Sequence, residues 1–148
     1  MATNKWNKRY LELARTIAQW SKDPSTQCGA VVIGQSGQVL SQGYNGFPRG
    51  MDDSDELYNN RETKYDRIVH AEMNAIYNCA HSGVSLNGAT LYVHGLPCCH
   101  ECSKAIIQVG IKEVVMSESN NIRWNDSCGK GMDYLKEANV KITYIKQR

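Results

Sequence analysis

Residues 89–116 read ATLYVHGLPCCHECSKAIIQVGIKEVVM, and this stretch decides the fold. Ala89–Val93 is a short apolar run with β-branched and aromatic side chains, opened by the turn pair Asn87-Gly88, and predicts a strand. From Cys99 to Val109 the period changes: Ala105, Ile106 and Val109 fall on one face of a helix. Lys112–Met116 is a second short apolar run and predicts another strand. Strand, helix and strand in direct succession are the repeating unit of a layered α/β domain.

The flanks extend the same pattern. Trp6, Tyr10, Leu13, Ala14, Ile17 and Trp20 recur at helical spacing and predict an amphipathic helix from Lys5 to about Trp20. Ser21–Thr26, with Pro24, ends it. Cys28–Ile33 reads as a buried strand, Gly34–Gly37 as a hairpin turn, and Gln38–Gly43 as the returning strand. Tyr44–Gly50 is a loop. Asp52–Arg67 is polar without a clear period and reads as a solvated insertion, partly helical. His70–Ala80 predicts a helix with Ala71, Ala75, Ile76 and Cys79 inward. Ser117–Lys130 reads as a polar loop, Gly131–Ala138 as a short helix and Val140–Ile145 as a fifth strand. The expected fold is α/β, a mixed five-stranded sheet layered with helices, in one domain over residues 1–148.

Composition excludes several classes. The chain has 148 residues, 41% hydrophobic and 22% charged, as ordinary globular domains do. Seventeen Lys+Arg against fifteen Asp+Glu leave +2. With an isoelectric point near 8.2, this is not the footprint of a nucleic-acid binder. No apolar run approaches a membrane span, and MATNKWNKRY lacks the apolar core of a signal peptide. The expected compartment is the cytoplasm, or the host cytoplasm if the source is viral. The six cysteines stand at 28, 79, 98, 99, 102 and 128. Three lie within five residues, which points to metal or redox chemistry rather than to a disulfide framework.

Two segments carry chemistry: His70-Ala71-Glu72 and Pro97-Cys98-Cys99-His100-Glu101-Cys102, each opening a predicted helix. Cys99 and Cys102 are three residues apart in a first turn, where the helix dipole lowers thiol pKa. Two thiolates and the His70 imidazole are a donor set suited to zinc, with the fourth tetrahedral position left for water. His70 and Glu72 cannot share the side of a helix, but both reach a metal if the helix aims its N-terminus at it. That placement also leaves backbone N–H groups near Ala71 for a substrate carbonyl. Glu72 beside an activated water suits a general acid/base. Alone, Cys99-x-x-Cys102 also suits a redox pair or half of a structural zinc site, and His70-x-Glu72 says little. In this order the two together resemble the signature of the zinc nucleobase deaminases.

The chain resembles the deoxycytidylate deaminases, within the cytidine deaminase-like superfamily. Four stretches carry the likeness: Ser21–Ala30 (SKDPSTQCGA), Gly43–Gly50 (GYNGFPRG), His70–Ile76 (HAEMNAI) and Cys99–Ile107 (CHECSKAII). The last two identify the superfamily and the first two the deoxycytidylate branch. One departure is that Cys98 intervenes between Pro97 and the Cys-x-x-Cys pair, at a position where some relatives carry a second proline. The spacing makes Cys99 and Cys102 the better ligands, with Cys98 the alternative.

The resemblance implies a three-layer α-β-α domain that hydrolyses dCMP to dUMP and ammonia. It assigns one zinc ion per chain to His70, Cys99 and Cys102. Glu72 would move a proton from water to ring N3 and then to the departing ammonia. Asn45 would bond the sugar 3′-hydroxyl, although Asn-Gly is equally a turn signal. Thr26 would line the base pocket, with Ser21 and Gln27 around the sugar and phosphate. The resemblance also implies a hexamer controlled by dCTP and dTTP through Gly43, Tyr44, Asn45 and Gly46, with magnesium accompanying the triphosphate. Lys22 and Arg49 supply nearby charge or are solvated surface residues. Arg123 and Trp124 could cap a base or a neighbouring subunit. The rival readings are a deaminase of dCTP, of a free nucleoside or of a nucleic-acid base, and a non-catalytic zinc module.

Overall fold

The computed structural model describes residues 2–117 and 126–146. Its elements, in chain order, are α1 (Asn4–Ala18), β1 (Gly29–Ile33), β2 (Val39–Tyr44), α2 (Asp55–Asn59), α3 (Arg61–Arg67), α4 (Ala71–Ser82), β3 (Thr90–His94), α5 (His100–Gln108), β4 (Glu113–Ser117), α6 (Asp126–Glu137) and β5 (Lys141–Ile145). The strands form one sheet in the order β2-β1-β3-β4-β5. β1 runs antiparallel to both β2 and β3, whereas β3, β4 and β5 are parallel. The sheet is mixed, as the hairpin followed by strand-helix-strand units required.

Side-chain alternation along the central strands divides the core in two. Val31, Ile33, Tyr92 and Val115 face one way and pack under Leu11 and Ala14 of α1. Ala30, Val32, Leu91, Val93, Val114 and Met116 face the other way, against Ala75 and Ile76 of α4, Ile106 of α5 and Met132 and Leu135 of α6. β1 is buried along its whole length, which is why CGAVVI is apolar at every position and does not alternate. The result is three layers: α1, the sheet, and α4, α5 and α6.

Two close approaches fix the helices that open on the site. A Cβ on Gly43 of β2 would lie 2.4 Å from the Ala75 backbone N of α4, so only glycine lets that strand and helix meet. A Cβ on Gly131 of α6 would lie 2.6 Å from the carbonyl O of Cys98. Gly→Ala in a helix interior ordinarily stabilises by about 1 kcal/mol. At Gly131 the sign is expected to reverse, with a loss of about 1–3 kcal/mol from overpacking, read as a lower urea midpoint.

Two expectations are corrected. The stretch expected as a loop up to Lys130 is already helical from Asp126. Cys128, Gly131, Met132 and Leu135 form the buried face of α6, at helical spacing. Two glycines within four residues hid that period. Cys128 is therefore a buried helix residue and not a polar-loop one, its thiol donating to the Pro97 carbonyl at 3.5 Å. Nor is Asp52–Arg67 simply a solvated insertion. α2 and α3 bury Tyr58 and Lys64, and the Tyr58 ring stacks on Phe47 with centroids 4.0 Å apart. Arg123 and Trp124 lie outside the described residues.

Candidate active site

α4 and α5 begin beside the same cavity, and that shared start builds the site. His70 is the N-cap of α4 in an extended conformation and makes no capping side-chain bond, which leaves its imidazole available. Cys99 is the N-cap of α5, its sulfur accepting the N–H of Cys102 at 3.4 Å. His70 Nδ1 lies 3.3 Å from Cys102 Sγ and 3.5 Å from Cys99 Sγ. The three ligand atoms all fall within 4.8 Å of one another, the only such His/Cys/Asp/Glu group of three or more among the described residues.

These separations fit zinc. With Zn–S about 2.3 Å and Zn–N about 2.0–2.1 Å, tetrahedral ligands stand about 3.5 Å apart. The donor set of one imidazole and two sulfurs is complete for an ion that keeps its fourth position open. The charges fit as well. The Cys99 thiol is pulled down to about 4, first by its bond with Cys102 and further by His70, against its partial burial. Cys102 is pushed up by that same bond and by burial, so the pair holds one thiolate and one thiol. Metal binding must displace the Cys102 proton. Zinc affinity is therefore expected to strengthen as pH rises from 6 to 8, by up to about tenfold per pH unit for each proton released. Competition with a chromophoric chelator measures this, and a flat profile would contradict it.

Glu72 sits in the first turn of α4, 5% exposed. Burial raises its pKa, while His70, its own backbone N–H and the Cys98 thiol pull it down. A carboxyl placed between these influences can both take up and release a proton. Cys98 is fully buried and bonds Glu72; burial and the neighbouring carboxylate push its thiol up, which keeps it protonated.

The cavity measures about 780 Å³, and His70, Ala71, Glu72 and Cys99 form part of its wall. Thr26 and Asn45 line it too. The Asn45 side chain is heavily bonded: Oδ1 accepts the Cys28 N–H at 2.9 Å, and Nδ2 donates to the Thr26 carbonyl at 2.9 Å and to Asp23 Oδ2 at 3.4 Å. Ser21 and Gln27 stand behind that wall. Ser21 Oγ donates to the Asn45 carbonyl at 2.8 Å, and Gln27 Nε2 donates to the Ser21 carbonyl at 2.8 Å. Gly43, Tyr44 and Gly46 lead into and out of this corner along edge strand β2, where Tyr44 meets Trp20 edge-on. Lys22 pairs with Asp53, and Arg49 bonds Asn78. His100 bonds Ser127 Oγ at 2.7 Å. His94 is absent from the cavity wall, and burial and then Arg15 lower its pKa.

Sequence reasoning missed one wall entirely. Tyr58, Arg61, Lys64 and Tyr65, from α2 and α3, face the same cavity. The aromatic residues Tyr58 and Tyr65 in a mostly polar run were the available signal. Nothing in the sequence distinguishes a buried lysine from a solvated one.

The comparisons agree with this geometry. The family described as "Cytidine and deoxycytidylate deaminase zinc-binding region" matches residues 4–118. An uncharacterized deaminase of Aliivibrio fischeri is 37% identical over 145 residues, covering 96% of this chain and 95% of that protein. Mouse deoxycytidylate deaminase is 41% identical over 117 residues, covering 74% of this chain, and the match spans 63% of the mouse protein. The dCMP deaminase of cyanophage S-TIM5, solved with dCMP and dUMP, superposes with a TM-score of 0.82 at 30% identity, covering 97% of this chain and 99% of that one. With the His/Cys/Cys cluster and the family match over most of its length, this chain belongs to the cytidine and deoxycytidylate deaminases.

Proposed function

We propose that the protein, as one catalytic domain over residues 1–148, converts dCMP and water to dUMP and ammonia with one zinc ion held by His70, Cys99 and Cys102. The observation that carries this reading is the placement of Glu72. A buried carboxyl stands two residues after the imidazole of a three-donor cluster and shares its cavity. A purely structural metal site has no use for such an acid and takes a fourth protein ligand. Zinc held there supplies the Lewis acidity that makes water a nucleophile near neutral pH.

The chain's own residues do the rest. Glu72 takes a proton from the attacking water and gives it to ring N3, which makes C4 electrophilic. It then carries the hydroxyl proton to the amino group, which leaves as ammonia when the C4–N bond breaks. The N–H of Ala71, in the first turn of α4 that no side chain caps, would hold the base carbonyl oxygen. Thr26 lines the base pocket. Asn45, braced by Ser21 and Gln27, presents the second lone pair of Oδ1 to the sugar hydroxyl.

We further propose that dCTP or dTTP, the triphosphate with magnesium, acts at Gly43–Gly46 of a homo-hexamer in the cytoplasm, alongside the deoxynucleotide pool. Support for the effector route is that Asn45 belongs both to this loop and to the cavity wall, so a shift of the loop reaches the substrate. Support for assembly at this edge is the exposed pair Trp20 and Tyr44 beside edge strand β2.

Ammonia release from cytidine, deoxycytidine, dCMP, dCTP and a cytosine-containing single strand, each with and without dCTP or dTTP as effector, tests the reading. The expected result is a preference for dCMP and a response to effector. Activity confined to the nucleoside or the strand would replace the substrate assignment. Zinc binding with no release from any of them would favour a non-catalytic module.

A further inference from the structure

Four donors converge on one buried carboxylate in the cavity wall. Asp23 Oδ1 accepts the Ser25 N–H at 2.9 Å, the Thr26 N–H at 3.3 Å and the Lys64 ammonium at 3.2 Å. Its Oδ2 accepts the Asn45 amide at 3.4 Å. The Asp23 backbone is tied to the same neighbour: its N–H donates to Ser21 Oγ at 3.2 Å, and that hydroxyl donates to the Asn45 carbonyl at 2.8 Å. Asp23, Thr26, Asn45 and Lys64 all line the cavity that holds His70 and Glu72. The Lys64 and Asp23 side chains are 9% and 6% exposed. Burying such a pair yields little net stability, because desolvating two charges offsets their attraction. What the carboxylate does provide is a fixed direction for the Asn45 amide.

A carboxamide has two ends of similar size and opposite hydrogen-bonding sense. A carboxylate accepts and cannot donate, so Asp23 takes only the Nδ2 end of Asn45. Nδ2 then spends both hydrogens, on Asp23 and on the Thr26 carbonyl at 2.9 Å. That carbonyl belongs to the turn whose N–H groups end on Asp23, so the second contact depends on Asp23 as well. Oδ1 takes the Cys28 N–H at 2.9 Å and keeps one lone pair. The Asn45 side chain therefore offers a ligand an acceptor, and what it reads is a hydroxyl hydrogen.

Resting on the assignment of Asn45 to the sugar hydroxyl, we propose that Asp23 is a positioning residue that holds the Asn45 amide and so makes the enzyme selective for a nucleotide with a free 3′-hydroxyl. A cytidylate inside a strand carries an ester there, has no hydrogen to donate, and is rejected by the same contact. Asp23→Asn isolates this role. The three donors on Oδ1 keep the new amide oxygen on their side, which turns its N–H groups against those of Asn45. Asp23→Asn/Lys64→Met is the second variant, since it also removes the ammonium that the single change leaves buried beside a neutral partner.

The test compares kcat/KM for dCMP and for 2′,3′-dideoxycytidine 5′-monophosphate, which differ only in the 3′-hydroxyl, in zinc-loaded wild type, Asn45→Ala and the two Asp23 variants. The ratio is read, because misfolding lowers both substrates alike. Wild type is expected to favour dCMP by about tenfold or more, and the ratio is expected to approach one in all three variants. If Asn45→Ala loses the preference and Asp23→Asn/Lys64→Met keeps it, Thr26 and Cys28 hold Asn45 unaided; the positioning role is overturned and the sugar assignment stands. A wild type that deaminates both substrates equally, or an Asn45→Ala protein that keeps the preference, overturns the sugar assignment and the role of Asp23 with it.

Discussion

Glu72→Gln is expected to abolish turnover of dCMP, by about 10²–10⁴-fold in kcat, while zinc content stays at one per chain. Glutamine has the shape of glutamate and can still accept the Cys98 thiol, but it cannot take a proton from water or deliver one to the ring. The buried position argues for a loss near the top of that range. Glu72 is 5% exposed, so no bulk water replaces the lost base. Substrate binding should change little, because the contacts assigned to the base carbonyl, the base pocket and the sugar come from Ala71, Thr26 and Asn45. A Glu72→Gln protein with wild-type turnover would remove the acid/base assignment.

Cys102→Ser is expected to lose both zinc and turnover. Serine cannot supply the thiolate on which the ion depends, and the two donors that remain are too few to hold it at nanomolar concentrations. The site forms on the two helix N-termini that anchor α4 and α5 to each other, so metal loss should also lower the thermal midpoint. Zinc that binds the folded state alone stabilises it by mass action. Cys98→Ser is the matched comparison. Cys98 is next to the cluster in sequence, but its thiol bonds Glu72. That variant is therefore expected to retain zinc. Elemental analysis after desalting separates the two, and the opposite pattern would make Cys98 the ligand.

Much of this site was legible in the sequence because its parts are local. A cap residue and a first-turn residue three positions on are fixed relative to each other by helix geometry alone. His70-x-Glu72 and Cys99-x-x-Cys102 therefore declared two helix N-termini before any tertiary contact was known. The central strands were equally plain, since β1 and the Val114–Met116 segment of β4 are buried on both faces and read as apolar runs. What stayed hidden depends on long-range contacts. Gly131 looks like a helix breaker until the backbone of Cys98 is seen against it. Lys64 looks like a surface charge until Asp23, 41 positions away, is found beside it. Asn45 reads as a turn residue or a ligand for sugar, and its bonds to Cys28, Thr26 and Asp23 reveal a bracing role that neither reading contains.

The central claim is that one cluster and one carboxyl act together on dCMP. It is tested most directly by stripping the protein with a chelator, confirming the loss of zinc by elemental analysis, and following dUMP and ammonia from dCMP before and after one equivalent of zinc is restored. The account predicts no product from the stripped protein, equal yields of dUMP and ammonia on reloading, and none from reloaded Glu72→Gln. Full turnover by zinc-free protein, or a reloaded wild type that binds zinc and leaves dCMP untouched, would contradict it.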